Sequence, residues 1–358
     1  MITKYTELEK IVLHKINKGN KFYKDRLWEL SANKNISWKF VMLYWEKIEW
    51  NIKGLSANPN IDFNFVLENP NLGWSYKNLS SNPGITWENI RDNRKLPWSY
   101  YHLSANKNIT FRILEDNYIG CQWQLLCQND SLRDKDVLEY PDEPWDYLRL
   151  SKNKGITFEL IKALPEKRWW NDVVSANPCV TWEIVKANPW FKWNYDFLQL
   201  NKNFTPEILE SQEFLEHTEL NFSFLSENES LTLDFIKRNK NAKWEMYYLS
   251  KHHVITWEFI QEYPEMGWNM NQFCQRNPNF TYEIYYRTRE VYGWDFDLIC
   301  TNDFEFPEKV KREKAAKVIQ QNCMRWLTLD VTRDGKLGIV PRLGLKELGN
   351  LDVAPLYP

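Results

Sequence analysis

Few side chains in this sequence have the types and spacing needed for acid–base, nucleophilic or metal chemistry. The chain has 358 residues with six cysteines and five histidines, and no Cys-x-x-Cys pair occurs. His252 and His253 are adjacent, so their side chains point in different directions, and no third zinc ligand stands at a suitable spacing. A Gly-rich phosphate loop, a nucleophile elbow and a His-Glu-x-x-His segment are all missing. We therefore expect no enzymatic activity, no metal and no cofactor.

The cysteines are scattered, which indicates free thiols in a reducing compartment. They are Cys121, Cys127, Cys179, Cys274, Cys300 and Cys323. Asn-x-Ser/Thr triplets recur, as at Asn108–Thr110, and glycans there would crowd neighbouring copies of the repeat described below. Met1–Lys10 is too charged for a signal peptide. We expect a protein that is not secreted, and one without a transmembrane segment, because no run of eighteen apolar residues occurs.

Nucleic-acid binding is a further possibility, because 19 tryptophans could stack on bases. Binding by a repeat code needs basic residues that recur at one position of the repeat. Lysines follow a recurring Asn at Lys34, Lys107, Lys154 and Lys202, but Pro or an acidic residue takes that place in many other copies. The formal net charge is −2. We expect no nucleic-acid partner and interpret these lysines as part of an exposed turn.

The C-terminal tail, residues 329–358, is a candidate partner-binding segment. It is punctuated by Gly and Pro and has no amphipathic period. Its spaced apolar residues have no local cover, so we expect the tail to lie extended against another protein chain. These candidate partner-binding residues are Leu337, Ile339, Val340, Leu343, Leu345, Leu351, Val353 and Leu356.

Residues 303–328 are predicted to contain a basic helix that begins near Pro307. Its Ala315–Gln321 segment is similar to a calmodulin-binding IQ motif, with the expected basic residue displaced by one position to Arg325. A helix that caps the preceding repeats is an equally good interpretation. The sequence leaves both alternatives open.

These segments follow a sequence repeat that recurs along most of the chain and is clearest at Leu79–Leu103. The copies align on one Asn, and the commonest step is 24 residues. The step from Asn201 to Asn228 is 27 residues, which predicts an insertion near 210–218. The aligned residues are Asn33, Asn58, Asn82, Asn106, Asn129, Asn153, Asn177, Asn201, Asn228, His252, Asn277 and Asn302.

Each copy is predicted to form two short helices. Thr86 precedes Trp87-Glu88 as an N-cap, and Trp87 and Ile90 share one helix face. The second helix begins near Trp98 and ends at Asn106, a residue type that tolerates a left-handed conformation. Helices of two turns are too short to stand alone, so the copies must stack. We predict first helices near 38–44, 63–68, 87–92, 111–116, 158–163, 182–187 and 257–262.

Aromatic residues at fixed positions of the repeat are predicted to form its core rather than a ligand site. The tryptophans concerned are Trp50, Trp74, Trp87, Trp98, Trp123, Trp145, Trp169, Trp182, Trp193, Trp244, Trp257, Trp268 and Trp294. The Asn column is interpreted as structural, either as helix caps or as a hydrogen-bonded ladder between turns.

The resulting fold class is all-α. We expect an α-solenoid of about eleven 24-residue two-helix repeats, with N- and C-terminal capping helices and an extended tail, in an elongated body. The predicted organisation is an N-terminal cap at 1–29, repeats at 30–302, a basic helix at 303–328 and the tail at 329–358. A leucine-rich repeat also has this period, but it needs a Leu-x-Leu strand column that the sequence lacks.

The repeat phrase, here Leu55–Ile61 and Val180–Glu183, resembles repeat proteins encoded by large nucleocytoplasmic DNA viruses. The Ala-Ala-x-x-Ile-Gln helix at Ala315–Gln320 is similar to the C-terminal helix of those proteins, although the aromatics and arginines that usually follow it are missing here. The resemblance covers roughly residues 30–328. It implies a giant-virus origin and carries no known activity.

The expected function is that of a non-enzymatic protein-binding scaffold, a virion or minor capsid structural component whose partners are other virion proteins. The alternative is a host-directed adaptor that recruits a host protein through the surface of the solenoid. The corresponding location is the virion or the cytoplasm of an infected cell.

Overall fold

The computed structural model describes residues 5–19, 27–117, 119–120 and 122–304. The chain divides into two units, Met1–Phe304 and Glu305–Pro358, and the description below concerns the first. The predicted basic helix and the tail with its eight apolar candidates lie outside the described residues.

The described residues contain helices and no strand, which confirms the all-α repeat fold. They form twelve two-helix repeats, numbered 1 to 12 along the chain. The first helices are Glu7–Asn17, Trp38–Leu43, Phe63–Glu68, Trp87–Asp92, Phe111–Asp116, Asp134–Glu139, Phe158–Ala163, Trp182–Ala187, Pro206–Leu209, Leu233–Arg238, Trp257–Glu262 and Tyr282–Tyr292. The second helices are Trp28–Ala32, Ile52–Leu55, Tyr76–Ser81, Tyr100–Leu103, Trp123–Leu126, Tyr147–Leu150, Asn171–Ala176, Tyr195–Leu198, Phe222–Leu225, Met246–Leu249, Met270–Arg276 and Phe296–Cys300.

Repeats 3, 9 and 11 contain an additional short element between their two helices. Pro70–Leu72 and Pro264–Met266 are single 3₁₀ turns in repeats 3 and 11. In repeat 9, the predicted insertion forms the extra helix Gln212–Leu215.

The first helices begin where the cap column predicts. The Thr86 side chain accepts a hydrogen bond from the Asn89 backbone N–H, and Thr181 caps the helix of repeat 8 in the same way. Arg133 supplies no side-chain cap, and its own backbone N–H donates instead to the Asp136 carboxylate at 3.0 Å. Six of the seven predicted first-helix ranges agree with the structure, and the seventh ends one residue early, at Leu43.

The repeat Asn is extended rather than left-handed, which corrects the expectation for the end of the second helix. Asn82 has φ −73° and ψ 125°, and Asn177 has φ −70° and ψ 135°. Among the described residues other than glycine, only Phe304 has a positive φ. An extended conformation is the one that a following proline favours, and it points the Asn side chain into the preceding repeat.

The thirteen predicted core tryptophans lie in the core or pack against it. Seven of them are buried: Trp50, Trp74, Trp98, Trp145, Trp169, Trp182 and Trp244. The others are half-buried: Trp87, Trp123, Trp193, Trp257, Trp268 and Trp294. Most of the tryptophans that precede the second helix also donate the indole N–H to the carbonyl five residues earlier, as from Trp98 to Asn93 at 3.0 Å.

The Asn column forms a ladder, as one of the two interpretations predicted. The Asn106 amide donates to the carbonyls of Ser80 and Asn82, both at 3.0 Å, and its oxygen accepts the Asn108 backbone N–H at 3.0 Å. Asn106 is fully buried, so these bonds satisfy carbonyls that water cannot reach. Each column member is linked in this way to the member one repeat earlier.

The ladder continues from repeat 12 to repeat 1 and closes on itself. The Asn33 amide donates to the carbonyls of Cys300 at 2.7 Å and Asn302 at 2.9 Å, as Asn58 donates to those of Ser31 and Asn33. The twelve repeats therefore form a ring in which no repeat has a free end. The expectation of an elongated body is wrong, because the stacking interface is also present between the last repeat and the first.

The N-terminal helix Glu7–Asn17 is the first helix of repeat 1 and lies between repeats 12 and 2. Glu9 accepts the Ser37 backbone N–H at 2.9 Å, at the start of repeat 2. Glu7 accepts the Tyr282 backbone N–H at 2.8 Å, at the start of repeat 12. The helix of the predicted N-terminal cap is therefore part of the ring, with contacts to a repeat on each side.

Candidate functional site

In most repeats a tryptophan stands shortly before the second helix, and we call this position the tryptophan column. The candidate site was found by looking at the repeats in which another residue takes this position. This position lies eight residues before the repeat Asn, or nine in repeat 11. It holds Trp in repeats 2, 3, 4, 6, 7, 8, 10, 11 and 12, but Asp25, Cys121 and Leu220 in repeats 1, 5 and 9. Trp123 lies two residues after this position, as the first residue of the second helix of repeat 5.

Four of the nine column tryptophans lie against an aromatic residue in the second helix of the preceding repeat. The aromatic residue that opens the second helix packs edge-on against the next tryptophan. The ring centroids are 5.6 Å apart for Tyr76 and Trp98, 5.1 Å for Tyr147 and Trp169, and 5.0 Å for Phe222 and Trp244. Trp123 makes the same contact with Trp145, at 4.9 Å. An edge-to-face pair of this kind stabilises the interface beyond its buried area.

The gap in repeat 5 leaves a cleft in repeat 4. Tyr100 occupies the position that an indole would cover, is 51% exposed and makes no ring contact with any described residue. A cleft of about 310 Å³ lies between Trp87, Trp98 and Tyr100 on one side and Asn117, Ile119 and Gly120 on the other. Arg94 also lines it, and its guanidinium lies 3.5 Å from the Asn117 side-chain oxygen. Cys121 itself lies outside the described residues.

A larger cleft, of about 660 Å³, lies in repeat 8, and Leu220 is not part of its lining. The first helix of repeat 8 and the loop after it supply one wall, with Trp182, Trp190 and Trp193. The extra helix of repeat 9 supplies the other wall, through Glu213 and the following His217. Trp190 is 54% exposed, although its ring is among the largest apolar groups of the chain.

The polar groups of the repeat 8 cleft are arranged around its aromatic walls. Glu213 accepts the Trp182 indole N–H at 3.1 Å and pairs with Lys186 at 3.5 Å. The His217 ring stacks on Tyr195 at 4.6 Å with an angle of 17° between the planes. Lys192 lines the cleft, is exposed and forms no ion pair with the described residues.

Repeat 1 also lacks the column tryptophan, and there a lysine side chain covers the aromatic residue of repeat 12. The residue of repeat 12 that corresponds to Tyr100 is Phe296, and the Lys15 ammonium lies 4.4 Å from the centre of its ring. Burial lowers the pKa of Lys15, because the charged form loses solvation there. Repeat 1 therefore covers its aromatic neighbour through Lys15, and repeat 9 covers Tyr195 through His217 and Phe214, with ring centroids 4.6 and 6.1 Å away.

The two clefts share one combination of aromatic residues. Only repeats 4 and 8 combine three aromatic residues. These are a Trp that opens the first helix, a Trp shortly before the second helix and a Tyr in the second helix. The residues are Trp87, Trp98 and Tyr100 in repeat 4, and Trp182, Trp193 and Tyr195 in repeat 8. Four tryptophans predicted as core thus also line clefts.

Comparison with known protein families, characterised proteins and solved structures finds no match for this chain. The site is therefore assessed from its own chemistry. The described residues contain no cluster of three or more His, Cys, Asp or Glu able to hold a metal ion. In the same part of the chain, no helix combines the length and apolar character that crossing a membrane requires.

The described cysteines are free thiols and sit in the core or beside it. Cys127 and Cys274 replace a buried Ser that precedes the repeat Asn, and Cys300 does the same beside the closure of the ring. Burial raises the pKa of Cys127 to about 11 and that of Cys274 to about 12. These thiols stay protonated near neutral pH, which disfavours nucleophilic chemistry.

His252 replaces Asn in the ladder with the same pattern of donor and acceptor. Its Nε2 lies 2.8 Å from the Asn228 carbonyl, and its Nδ1 accepts the Val254 backbone N–H at 3.4 Å. Only the neutral ring protonated at Nε2 fits both contacts. Burial lowers the pKa of His252 to about 3, which keeps the ring neutral. The histidine pair therefore has a structural role in the ring.

Sequence reasoning did not identify the clefts, although a signal was present. The missing tryptophans at 121 and 220 are visible once the copies are aligned. Trp123 hid the first gap, because it lies only two residues from the column. That Tyr100 loses its cover is a property of the packing between repeats.

Proposed function

We propose that this protein is a non-enzymatic scaffold that binds other proteins through the surface of its repeat ring. The observation that carries the proposal is the pair of aromatic clefts in repeats 4 and 8. Trp and Tyr on a rigid frame are the residues most enriched at the energetic centres of protein interfaces. Exposed aromatic surface on a closed ring also costs little entropy to bind, because the ring is ordered before the partner arrives.

Site-specific photocrosslinking tests this proposal. A benzoylphenylalanine at Tyr100 or Trp190 should capture the same protein partner in the cell that makes this chain. The matched control is the same photoreactive residue at Leu148, which is 41% exposed on the second helix of repeat 6. Capture that is equal at all three positions, or absent at both clefts, would contradict the proposal.

We further propose that the protein is a virion or minor capsid structural component of a large DNA virus. The support is the resemblance of the repeat phrase, as at Val180–Glu183, and of the segment Ala315–Gln320. Mass spectrometry of purified particles tests it, and detection in the particles at structural abundance is the expected result. Detection only in infected cytoplasm would favour the alternative, an adaptor that recruits a host protein.

The tail at 329–358 is proposed to contact another virion protein. Deleting it should leave the melting temperature of the ring nearly unchanged, because Met1–Phe304 forms a unit of its own. The truncated protein should be lost from particles. Normal incorporation of the truncated protein would rule out this role of the tail.

A further inference from the structure

We propose that the closure of the ring is sensitive to pH, and that protonation of His14 favours the separation of repeats 12 and 1. The proposal goes beyond protein binding, because it concerns the conditions under which the ring opens. The two helices that meet at the closure, Glu7–Asn17 and Tyr282–Tyr292, are called the closure helices below.

The first argument is that this interface is built differently from the interior ones. Each closure helix has 11 residues, whereas the first helices of repeats 2 to 11 have six residues, or four in repeat 9. The additional turns carry His14 and Lys15 on one closure helix and Arg289 on the other. Since no peptide bond crosses this interface, these contacts and the ladder bonds of Asn33 hold it closed.

The second argument is the packing of His14 against tyrosines of the opposite closure helix. The half-buried His14 ring has its centroid 6.1 Å from that of Tyr282, 5.9 Å from that of Tyr285 and 5.5 Å from that of Tyr286. Tyrosine rings can attract a cation, but the Arg289 guanidinium already lies 4.4 Å from the centre of the Tyr286 ring. A protonated His14 would be a second cation beside the first.

The third argument is the sign of the surrounding charges. Among the described residues, the charges that act on His14 belong to Arg289 in the opposite closure helix and to Lys18 and Lys15 in its own helix. Burial, followed by these three cations, lowers the pKa of His14 below its usual value of 6.5. The closed ring therefore disfavours the protonated form of His14.

The carboxylates near the closure are engaged by other groups. Glu7 lies two turns before His14 on the same helix face, and it accepts the Tyr282 backbone N–H at 2.8 Å and a hydrogen bond from Lys10. Glu9 accepts the backbone N–H of Ser37 in repeat 2. The remaining carboxylates act on other cations, namely Glu283 on Arg287, Glu290 on Arg289, and Asp295 and Asp297 on Lys15.

The direction of the pH effect follows from linkage. In an open ring His14 is exposed to solvent, and its pKa returns towards 6.5. The open form then binds this proton more tightly than the closed form, so lowering the pH through this range shifts the equilibrium towards the open form. For one proton, the ratio of closed to open molecules can change by at most about tenfold per pH unit.

Hydrogen exchange of the full chain at pH 7.5 and 5.5, followed by mass spectrometry, tests the proposal. The protection factor of a helix, corrected for the intrinsic exchange rate, reports its opening even when the open form is scarce. In the parent, the protection of the closure helices should fall at the lower pH by more than that of the interior helix Trp182–Ala187. His14→Phe keeps an aromatic ring in the contact and cannot titrate, so this additional loss should disappear.

A second pair of variants covers the case in which His14→Phe has lost the closure at both pH values. Lys18 is exposed at the end of its helix, and Lys18→Glu places a carboxylate near His14. The additional loss of protection at pH 5.5 should then shrink or reverse, because a carboxylate favours the protonated ring. Lys192→Glu is the matched control, since it makes the same change of net charge at an exposed interior site and should respond like the parent.

An additional loss of the same size in the parent and in a closed His14→Phe variant would overturn the proposal. So would an identical response of Lys18→Glu and Lys192→Glu. A loss shared equally by the closure helices and Trp182–Ala187 would also overturn it, because it would reflect the stability of the whole ring, to which His252 contributes.

Discussion

Asn33 donates its side-chain amide to the carbonyl of Asn302 at 2.9 Å, although 269 residues separate them along the chain. The same bond links Asn82 to Asn58, where only 24 residues intervene. Repeats 12 and 1 thus meet through the interface that joins every other pair of repeats. The difference is covalent, because peptide bonds hold each interior interface together and none crosses this one.

We therefore expect the same type of substitution, Asn to Leu, to have different effects at an interior interface and at the closure of the ring. Asn106→Leu leaves the buried Ser80 carbonyl without its donor and removes one of two donors to the Asn82 carbonyl, which also accepts the Ile85 backbone N–H. It should destabilise the ring by about 1–3 kcal/mol, the usual cost of a buried unsatisfied group. Asn33→Leu removes the equivalent bonds at the closure. It should in addition separate repeats 12 and 1 in a fraction of molecules.

Distances between spin labels at Lys18 and Arg287 report this opening, because one label lies at the end of the first helix of repeat 1 and the other within that of repeat 12. A longer, broader distribution is expected for Asn33→Leu. Asn106→Leu is the control and should keep the parent distance. Identical distributions in the two variants would mean that the closure withstands the loss of this link.

His252 predicts a pH dependence of stability. Its pKa is lowered from 6.5 to about 3 in the folded protein, mainly by burial, so the unfolded chain takes up a proton that the folded chain does not. The contribution is fully present above pH 6.5 and is lost as the pH falls towards 3. The slope for one such group is about 1.4 kcal/mol per pH unit.

The variant His252→Asn isolates that contribution, because Asn makes the same ladder contacts without a titratable group. Its free energy of unfolding relative to the parent should rise steadily as the pH falls from about 6 to 4. Urea denaturation at several pH values measures the difference. A constant difference across that range would show that His252 has the same pKa in both states.

Trp98→Ala should destabilise the ring by roughly 3–5 kcal/mol, the usual range for removing a large buried aromatic side chain. Trp98 is 6% exposed and packs against Tyr76 of the preceding repeat. Trp190→Ala is the matched control, because that indole is 54% exposed and should cost much less. Thermal unfolding of the two variants compares them directly, and equal losses would contradict the core assignment of Trp98.

Trp50 and Trp98 should respond differently to replacement by phenylalanine. The Trp98 indole N–H donates to the Asn93 carbonyl at 3.0 Å, whereas the buried Trp50 N–H has no partner among the described atoms. Trp98→Phe should therefore cost about 1 kcal/mol more than Trp50→Phe, since only the former breaks a hydrogen bond. Denaturant unfolding checks the order, and a larger loss for Trp50→Phe would show that its N–H is satisfied in solution.

The sequence by itself determined the helices and their repetition, because those depend on residues close together along the chain. Thr86 and Trp87 mark a helix start with a cap and an apolar face, and the 24-residue step from Asn58 to Asn82 marks the repeat. The insertion predicted near 210–218 follows from the same count, and the structure has the helix Gln212–Leu215 there. All of these signals are local, and the structure agrees with them.

The tertiary structure decided the closure, the conformation of the repeat Asn and the clefts. Closure depends on the small rotation between successive repeats, summed twelve times, and no single repeat encodes that sum visibly. The role of the Asn106 amide was visible only in the structure, where it donates to the carbonyls of Ser80 and Asn82 in the preceding repeat. Tyr100 is 51% exposed beside the repeat 4 cleft, and that cleft exists only once the repeats are packed together.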